Sequence, residues 1–306
     1  MRFNAPAYPD PIANNRTLQN STYGPSCINV DVTAKCTPGG NLGAVPDDCR
    51  PVPRGEFSED CLFLDVYVPG SVYRNDARNL PVVVWIYGGA YVAGSKNEYS
   101  SANVPLYNGT GVLRAAFSNA DLGQFIYVAG NYRLGAFGWL SGSYMESNNR
   151  SKTAVTNAGI YDQQLVLQFV QDYISQVGGD KNNVSAWGES AGAGSILHHL
   201  IAKNGTRYPG FSKAIMQSPA FEWSWDRAYN GTLDQVYNNF SRLAGCPKFS
   251  LNCLKDATTA QLAKANQLLF QTGTRCSGVY PVGPALDQTL FTYLPAVALG
   301  TGRSTQ

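Results

Sequence analysis

Histidine is almost absent from this chain: of its 306 residues, only His198 and His199 are histidine. Chemistry that needs an imidazole therefore has two adjacent candidates and no others. Charge is also scarce. Asp, Glu, Lys and Arg make up 14% of the residues, against roughly 25% in a typical soluble domain. With 23 basic and 21 acidic residues the formal net charge is +2, which gives no electrostatic case for nucleic acid as a partner. No apolar run reaches the ~18 residues of a membrane-spanning helix, so no transmembrane segment is expected. The opening Met1-Arg2-Phe3-Asn4-Ala5-Pro6 lacks the apolar stretch of a signal peptide. No cysteines stand in C-x-x-C spacing, and two neighbouring histidines make a poor ligand set, so no zinc site is expected. No internal repeat or low-complexity tract is visible.

What is present points to a loop-rich globular protein. Hydrophobic residues make up 44% of the chain, beside 31 Gly and 17 Pro, enough for a large core with many turns. Seven cysteines occur: Cys27, Cys36, Cys49, Cys61, Cys246, Cys253 and Cys276. Eight N-x-[S/T] sequons begin at Asn15, Asn20, Asn108, Asn149, Asn183, Asn204, Asn230 and Asn239. Together these features suit a secreted, disulfide-bonded protein whose signal peptide lies outside this chain. The plainer alternative is a surface merely rich in Asn, Ser and Thr. An odd cysteine count leaves one thiol free or paired outside the chain.

Residues 1–60 are rich in Pro, Gly, Asn and Cys and read as loop held by disulfides. Residues 61–68 form the first good strand. Leu80 to Tyr87 (LPVVVWIY) is a continuous apolar run ending at Gly88-Gly89, suited to a central strand covered on both faces. Phe125 to Ala129 is another. Asn157 to Val177 has helical spacing, with Leu165, Phe169 and Tyr173 at intervals of four and Gly178-Gly179 as the stop. Lys213 to Gln217 is a short strand, and residues 232–245 and 258–270 are helical in pattern. Strands alternating with helices imply an α/β fold with a largely parallel central sheet and right-handed crossovers.

One run carries chemistry. Gly188-Glu189-Ser190-Ala191-Gly192 follows the strand-like Val184 to Trp187 and precedes the helix-like Ala193 to Lys203. This is a G-x-S-x-G nucleophile elbow in a strand–turn–helix setting, and it marks Ser190 as the nucleophile of an acyl transfer. Serine needs a base to take its proton. Free N–H groups at the start of the following helix can meet developing negative charge, and the Ala191 amide is the natural first oxyanion donor. The Gly88-Gly89-Ala90 turn after the LPVVVWIY strand suits the second; read alone, it would be a plain glycine turn. Glu189 directly precedes the serine and is expected to support the elbow rather than orient a base. His198 and His199 lie eight and nine residues after Ser190 on the same helix. At 1.5 Å rise per residue that is roughly 12–13 Å along the axis, against the ~3 Å reach of a general base. They are expected to be packing or surface residues.

These motifs resemble the type-B carboxylesterase/lipase family, which takes in fungal lipases, cholinesterases and non-catalytic adhesion relatives. Arg2-Phe3…Pro6 resembles its R-F-x-x-P stretch, and Glu59 to Val66 (EDCLFLDV) its E-D-C-L-x-L-N-V signature with Asp65 in place of Asn. Trp85 to Tyr91 with Gly94 resembles W-I-x-G-G-G-F-x-x-G, with Ala90 where many relatives have Gly. Asn131-Tyr132-Arg133, Asp162-Gln163 and Gly178-Gly179-Asp180 also match. Ala214 to Ser218 matches A-I-x-Q-S, followed here by Pro219 rather than Gly. The resemblance covers nearly the whole chain.

It implies an α/β-hydrolase fold, with helices on both faces of the sheet and an incomplete C-terminal part: residues 1–306 form a partial domain and residues 1–60 its disulfide-stapled N-terminal portion. It implies ester hydrolysis through an acyl-enzyme on Ser190, with Gly89, Ala90 and Ala191 as oxyanion-hole amides. The substrate would be a small-molecule or lipid ester, with no cofactor; oligomeric state is not indicated. It further implies the disulfides Cys27–Cys61 and Cys246–Cys253, an extra local bridge Cys36–Cys49, and Cys276 unpaired or paired beyond residue 306. Asp287 resembles a family loop aspartate upstream of the catalytic acid, and Asp226, Asp234 and Asp256 have no motif support. Family members are considerably longer, so the chain is expected to be truncated at both ends, without triad acid or histidine, and inactive and poorly stable alone. A non-catalytic binding or adhesion relative, or a degenerate paralogue, is the alternative.

Overall fold

The computed structural model describes residues 2–9, 24–31, 57–74, 77–97, 106–119, 123–150, 154–220, 228–273 and 280–305. Two short strands, β1 (Ser26–Cys27) and β2 (Phe57–Ser58), pair in parallel. The main sheet holds β3 (Leu64–Tyr67), β4 (Leu80–Ile86), β5 (Ile126–Gly130), β6 (Gly179–Glu189) and β7 (Lys213–Gln217) in the order β3-β5-β4-β6-β7. β3 runs antiparallel to β5, and the remaining pairs are parallel. The helices are α1 (Gly70–Tyr73), α2 (Thr110–Ser118), α3 (Gly135–Trp139), α4 (Ser143–Arg150), α5 (Ala158–Tyr173), α6 (Ala191–Ile201), α7 (Thr232–Leu243), α8 (Leu251–Asp256), α9 (Thr259–Gly273) and α10 (Pro295–Gly300). A mixed sheet flanked by helices is the α/β-hydrolase arrangement.

The continuous apolar run of β4 follows from burial on both faces. Successive side chains alternate across a strand. Val82, Val84 and Ile86 enter the main core. Val83 enters a second cluster with Tyr127 and Ala129, against which Leu113 of α2 packs. Both faces need apolar residues, so no polar alternation survives.

Helix α5 bears out the helical spacing of the sequence, and packing decides which face it buries. The buried positions are Ala158, Gly159, Ile160, Asp162, Gln163, Gln164, Leu167 and Val170, with Ile174 in the 3₁₀ turn that follows. Leu165 and Phe169 are half-buried and Tyr173 is exposed. The helix carries two apolar stripes at compatible spacing. The one opened by Ile160 meets the core, while Phe169 and Tyr173 form an aromatic pair that Tyr8 extends from outside. The helix stops where Gly178 adopts a left-handed φ of 83°, and β6 begins at once at Gly179, ahead of the apolar stretch that marks it in sequence.

Cys27 is bonded to Cys61, and Cys246 to Cys253. Cys36, Cys49 and Cys276 lie outside the described residues, as does most of the 1–60 segment. Among the described residues no helix is long and apolar enough to cross a membrane, and no three His, Cys, Asp or Glu side chains group as a metal set.

Candidate active site

Ser190 sits between the end of β6 and the start of α6 with φ 54° and ψ −121°. A residue with a Cβ rarely adopts this backbone, and holding it there costs about 1–3 kcal/mol. Three hydrogen bonds fix it. Its N–H donates to the Gln217 carbonyl at 2.9 Å, and its own carbonyl accepts from Gly194 N at 2.9 Å and Ala220 N at 3.0 Å. Gln217 ends β7, the neighbour of β6, so the sheet edge braces the elbow. Sequence reasoning missed Gln217 and Ala220 in this role, although Gln217 lies within the A-I-x-Q-S match. At Gly192 a Cβ would press on the Ile86 carbonyl oxygen. That close approach of α6 to β4 is what the last glycine of the elbow provides.

The turn after β4 lies beside the serine. A Cβ at Gly88 would stand 3.1 Å from the Ser190 Cβ and 2.8 Å from the Glu189 carbonyl oxygen. The Glu189 carboxylate faces the same point, with Oε2 at 3.0 Å from it. Ala90 and Tyr91 both have positive φ, 54° and 62°. The turn closes through Val92 N and Ala93 N, which donate to the Gly89 carbonyl at 3.1 and 3.0 Å. Among the described residues, the amides of Gly89, Ala90 and Ala191 donate to no protein acceptor. The structure thus brings Ser190, Gly89, Ala90, Ala191 and Glu189 to one corner.

Aromatic groups pack against the turn after β4, and buried charged pairs tie other family motifs together. The Tyr91 hydroxyl donates to the Ala220 carbonyl at 2.8 Å, and its ring meets Trp139 edge-on at 4.7 Å. Tyr87 and Tyr132 stack at 4.3 Å, and each hydroxyl donates to the other's carbonyl, at 3.0 and 2.8 Å. Burial raises the Tyr132 phenol well above its ordinary value. Arg133 forms a two-pronged pair with buried Asp162 at 2.7 and 2.6 Å, and Asp162 also accepts the Arg133 amide. Lys96, with its side chain fully buried, meets Asp65 at 2.6 Å. Burial lowers the Lys96 ammonium and raises the Asp65 carboxyl. Arg2 and Glu59 pair through two contacts of 2.7 Å, joining the first two family motifs.

The histidines point elsewhere. His198 Nδ1 bonds the Gly194 carbonyl at 2.7 Å, and its ring meets Phe291 edge-on. Burial pushes it down to about 4. His199 Nε2 bonds Gln163 Oε1 at 2.9 Å. Burial first, then His198 and Arg207, push it down to about 3. Neither ring hydrogen-bonds Ser190. Asp287 is buried and accepts from Thr156, Asn157 and the amides of Thr289, Leu290 and Phe291. Asp234 accepts from Ser143 and Asn230 at the start of α4. Both are structural knots distant in role from the elbow. Asp256 lies near Arg2, and Asp226 falls outside the described residues.

The fold is that of the serine-hydrolase, esterase–lipase superfamily of α/β-hydrolase architecture. Residues 1–305 match the family model described as the Carboxylesterase family, and the chain belongs to that family. It is 40% identical over 289 residues to the "Secreted lipase" of Arthroderma benhamiae, covering 94% of this chain and 51% of that protein. It is 38% identical over 237 residues to "Carboxylesterase patB" of Penicillium expansum, covering 75% and 39%. Among solved structures, PNB esterase superposes with a TM-score of 0.74 at 28% identity, over 99% of this chain and 54% of its own. Aspergillus niger EstA does so with a TM-score of 0.74 at 30% identity, over 99% and 51%. The chain spans about half the length, or less, of the curated relatives it matches.

Proposed function

We propose that this chain carries the nucleophile and the oxyanion amides of a carboxylic ester hydrolase. The observation that carries this is the strained Ser190 backbone, braced on three sides beside three amides without protein acceptors. Ser190 attacks the ester carbonyl, and the amides of Gly89, Ala90 and Ala191 hold the oxygen as it gains charge. Glu189 supports the corner. The alcohol leaves, and water then cleaves the acyl-enzyme.

The base is a group other than His198 or His199, since both are buried, neutral and hydrogen-bonded away from Ser190. On this reading the 306 residues are part of one hydrolase domain, inactive alone, and the acid and histidine come from further chain. A substrate of small-molecule or lipid ester class fits the family and the secreted-lipase relative. The two disulfides, the sequons and that relative support secretion.

Full-length protein should hydrolyse p-nitrophenyl esters, and Ser190→Ala should abolish this. The 306-residue chain should show no turnover dependent on Ser190. Turnover by the short chain that Ser190→Ala removes would place the base among these residues and overturn that part of the reading. The alternative, a non-catalytic relative, is disfavoured by the intact elbow.

A further inference from the structure

The eight sequons are not equivalent in the fold. Asn183 lies in β6, and its Oδ1 accepts from Lys213 Nζ at 2.6 Å. Asn239 opens a sequon inside α7 whose Ser241 is 0% exposed. Asn108 is half-buried, with Oδ1 accepting from Thr110 N at 2.9 Å. Asn15 and Asn20 lie outside the described residues, and the Asn149 side chain is not among those described.

Asn204 and Asn230 differ from Asn108, Asn183 and Asn239. Both are exposed and both head an Asn-Gly-Thr sequence. Each sits at a turn in the left-handed region, with φ of 60° and 61°. The Asn230 backbone is engaged locally, but among the described residues neither side-chain amide has a hydrogen-bond partner. Each also has a large exposed aromatic close by in sequence. Tyr208 is 56% exposed, four residues after Asn204, and Tyr229, immediately before Asn230, is 75% exposed. Exposed rings of this size gain by being covered, and the apolar faces of sugar rings suit them.

We infer that Asn204 and Asn230 are N-glycosylation sites, and that their glycans cover Tyr208 and Tyr229. The inference rests on the secretion reading. The donor is an oligosaccharide on a lipid pyrophosphate. The bond from the sugar C1 to the pyrophosphate oxygen breaks, a bond from C1 to Asn Nδ2 forms, Nδ2 gives up one proton, and the lipid pyrophosphate leaves. Transfer meets the growing chain. The folded structure then decides which sites can keep a large polar group without loss of packing.

The test is expression of the full-length gene in a secreting fungal host. The protein is then treated with peptide-N-glycosidase in heavy-oxygen water and its peptides are mapped. Heavy Asp is expected at 204 and 230 and not at 183 or 239. Asn204→Gln and Asn230→Gln should each remove one mobility step on a gel, and the pair two. Secreted protein without the label at both Asn204 and Asn230 would overturn the inference and leave secretion standing. Retention inside the cell, with no glycan at any sequon, would overturn the secretion reading itself. Glycosidase treatment of the folded protein should raise binding of an apolar dye, and Tyr208→Ser/Tyr229→Ser should cancel the rise. An unchanged dye signal would remove the covering role.

Discussion

At Ser190 the backbone is held where a residue with a Cβ is uncomfortable, so its neighbours have little freedom to change. Gly192→Ala would drive a methyl into the Ile86 carbonyl. A loss of about 1–3 kcal/mol is expected from this overpacking, visible as a lower denaturant midpoint. An unchanged midpoint would mean that β4 and α6 can separate at no cost. Asp162→Ala would leave Arg133 buried without its two-pronged partner, and a loss of about 3–5 kcal/mol is expected. The histidines give a pH signature. In the folded state burial holds them at about 4 and about 3, below the ordinary imidazole value of 6.5. The folded state therefore holds fewer protons than the unfolded state between about pH 3 and 6.5. Their contribution to stability is full above pH 6.5 and is lost as pH falls through that window. The urea midpoint should drop from pH 7.5 to pH 5, and His198→Asn/His199→Gln should flatten the drop. An equal drop in the double variant would assign it to other groups. The elbow was legible because its residue types are dictated by local geometry. The bracing by Gln217 and Ala220 was not, because backbone hydrogen bonds across strands leave no mark on residue type.

Among the elements, the turn after β4 and the segment after β7 meet at one hydrogen bond, from Tyr91 Oη to the Ala220 carbonyl. Ala220 N in turn holds the Ser190 carbonyl. Tyr91→Phe removes one oxygen and leaves the half-buried Ala220 carbonyl without this donor, a cost of about 1–3 kcal/mol. In the full-length protein, kcat should fall about tenfold with KM nearly unchanged, since the corner that stabilises charge is loosened rather than the substrate pocket. A thermal midpoint that falls with kcat intact would reduce Tyr91 to a packing residue. β4 was readable from its unbroken apolar run, and β7, α5, α6, α7 and α9 from period and stops, whereas α1, α2, α3, α4, α8 and α10 were not anticipated. The first half of β6 was not, because Lys181 and Asn182 are exposed there and break the apolar pattern. The helix α5 was readable from its spacing, but the face it buries was not, because two apolar stripes share one helical period. Only packing against the sheet chooses the one that begins at Ile160.

For the molecule as a whole, strand alternation and ordered motifs were enough to indicate an α/β-hydrolase sheet, while the antiparallel setting of β3 came from tertiary pairing alone. β7 forms one edge of the sheet, and all five of its residues are exposed, including Ile215 and Met216. Open apolar edges invite pairing with another chain. The 306-residue chain, expressed alone, should self-associate in light scattering, and Ile215→Lys should shift it toward monomer. A monodisperse monomer without that change would show that the edge is protected. The central claim is that Ser190 is an acyl-transfer nucleophile. It is tested most directly by treating the full-length protein with an active-site phosphonate and locating the adduct by peptide mass spectrometry. The account predicts one adduct, on Ser190, absent in Ser190→Ala. A folded protein left unlabelled, or labelled on another residue, would contradict it.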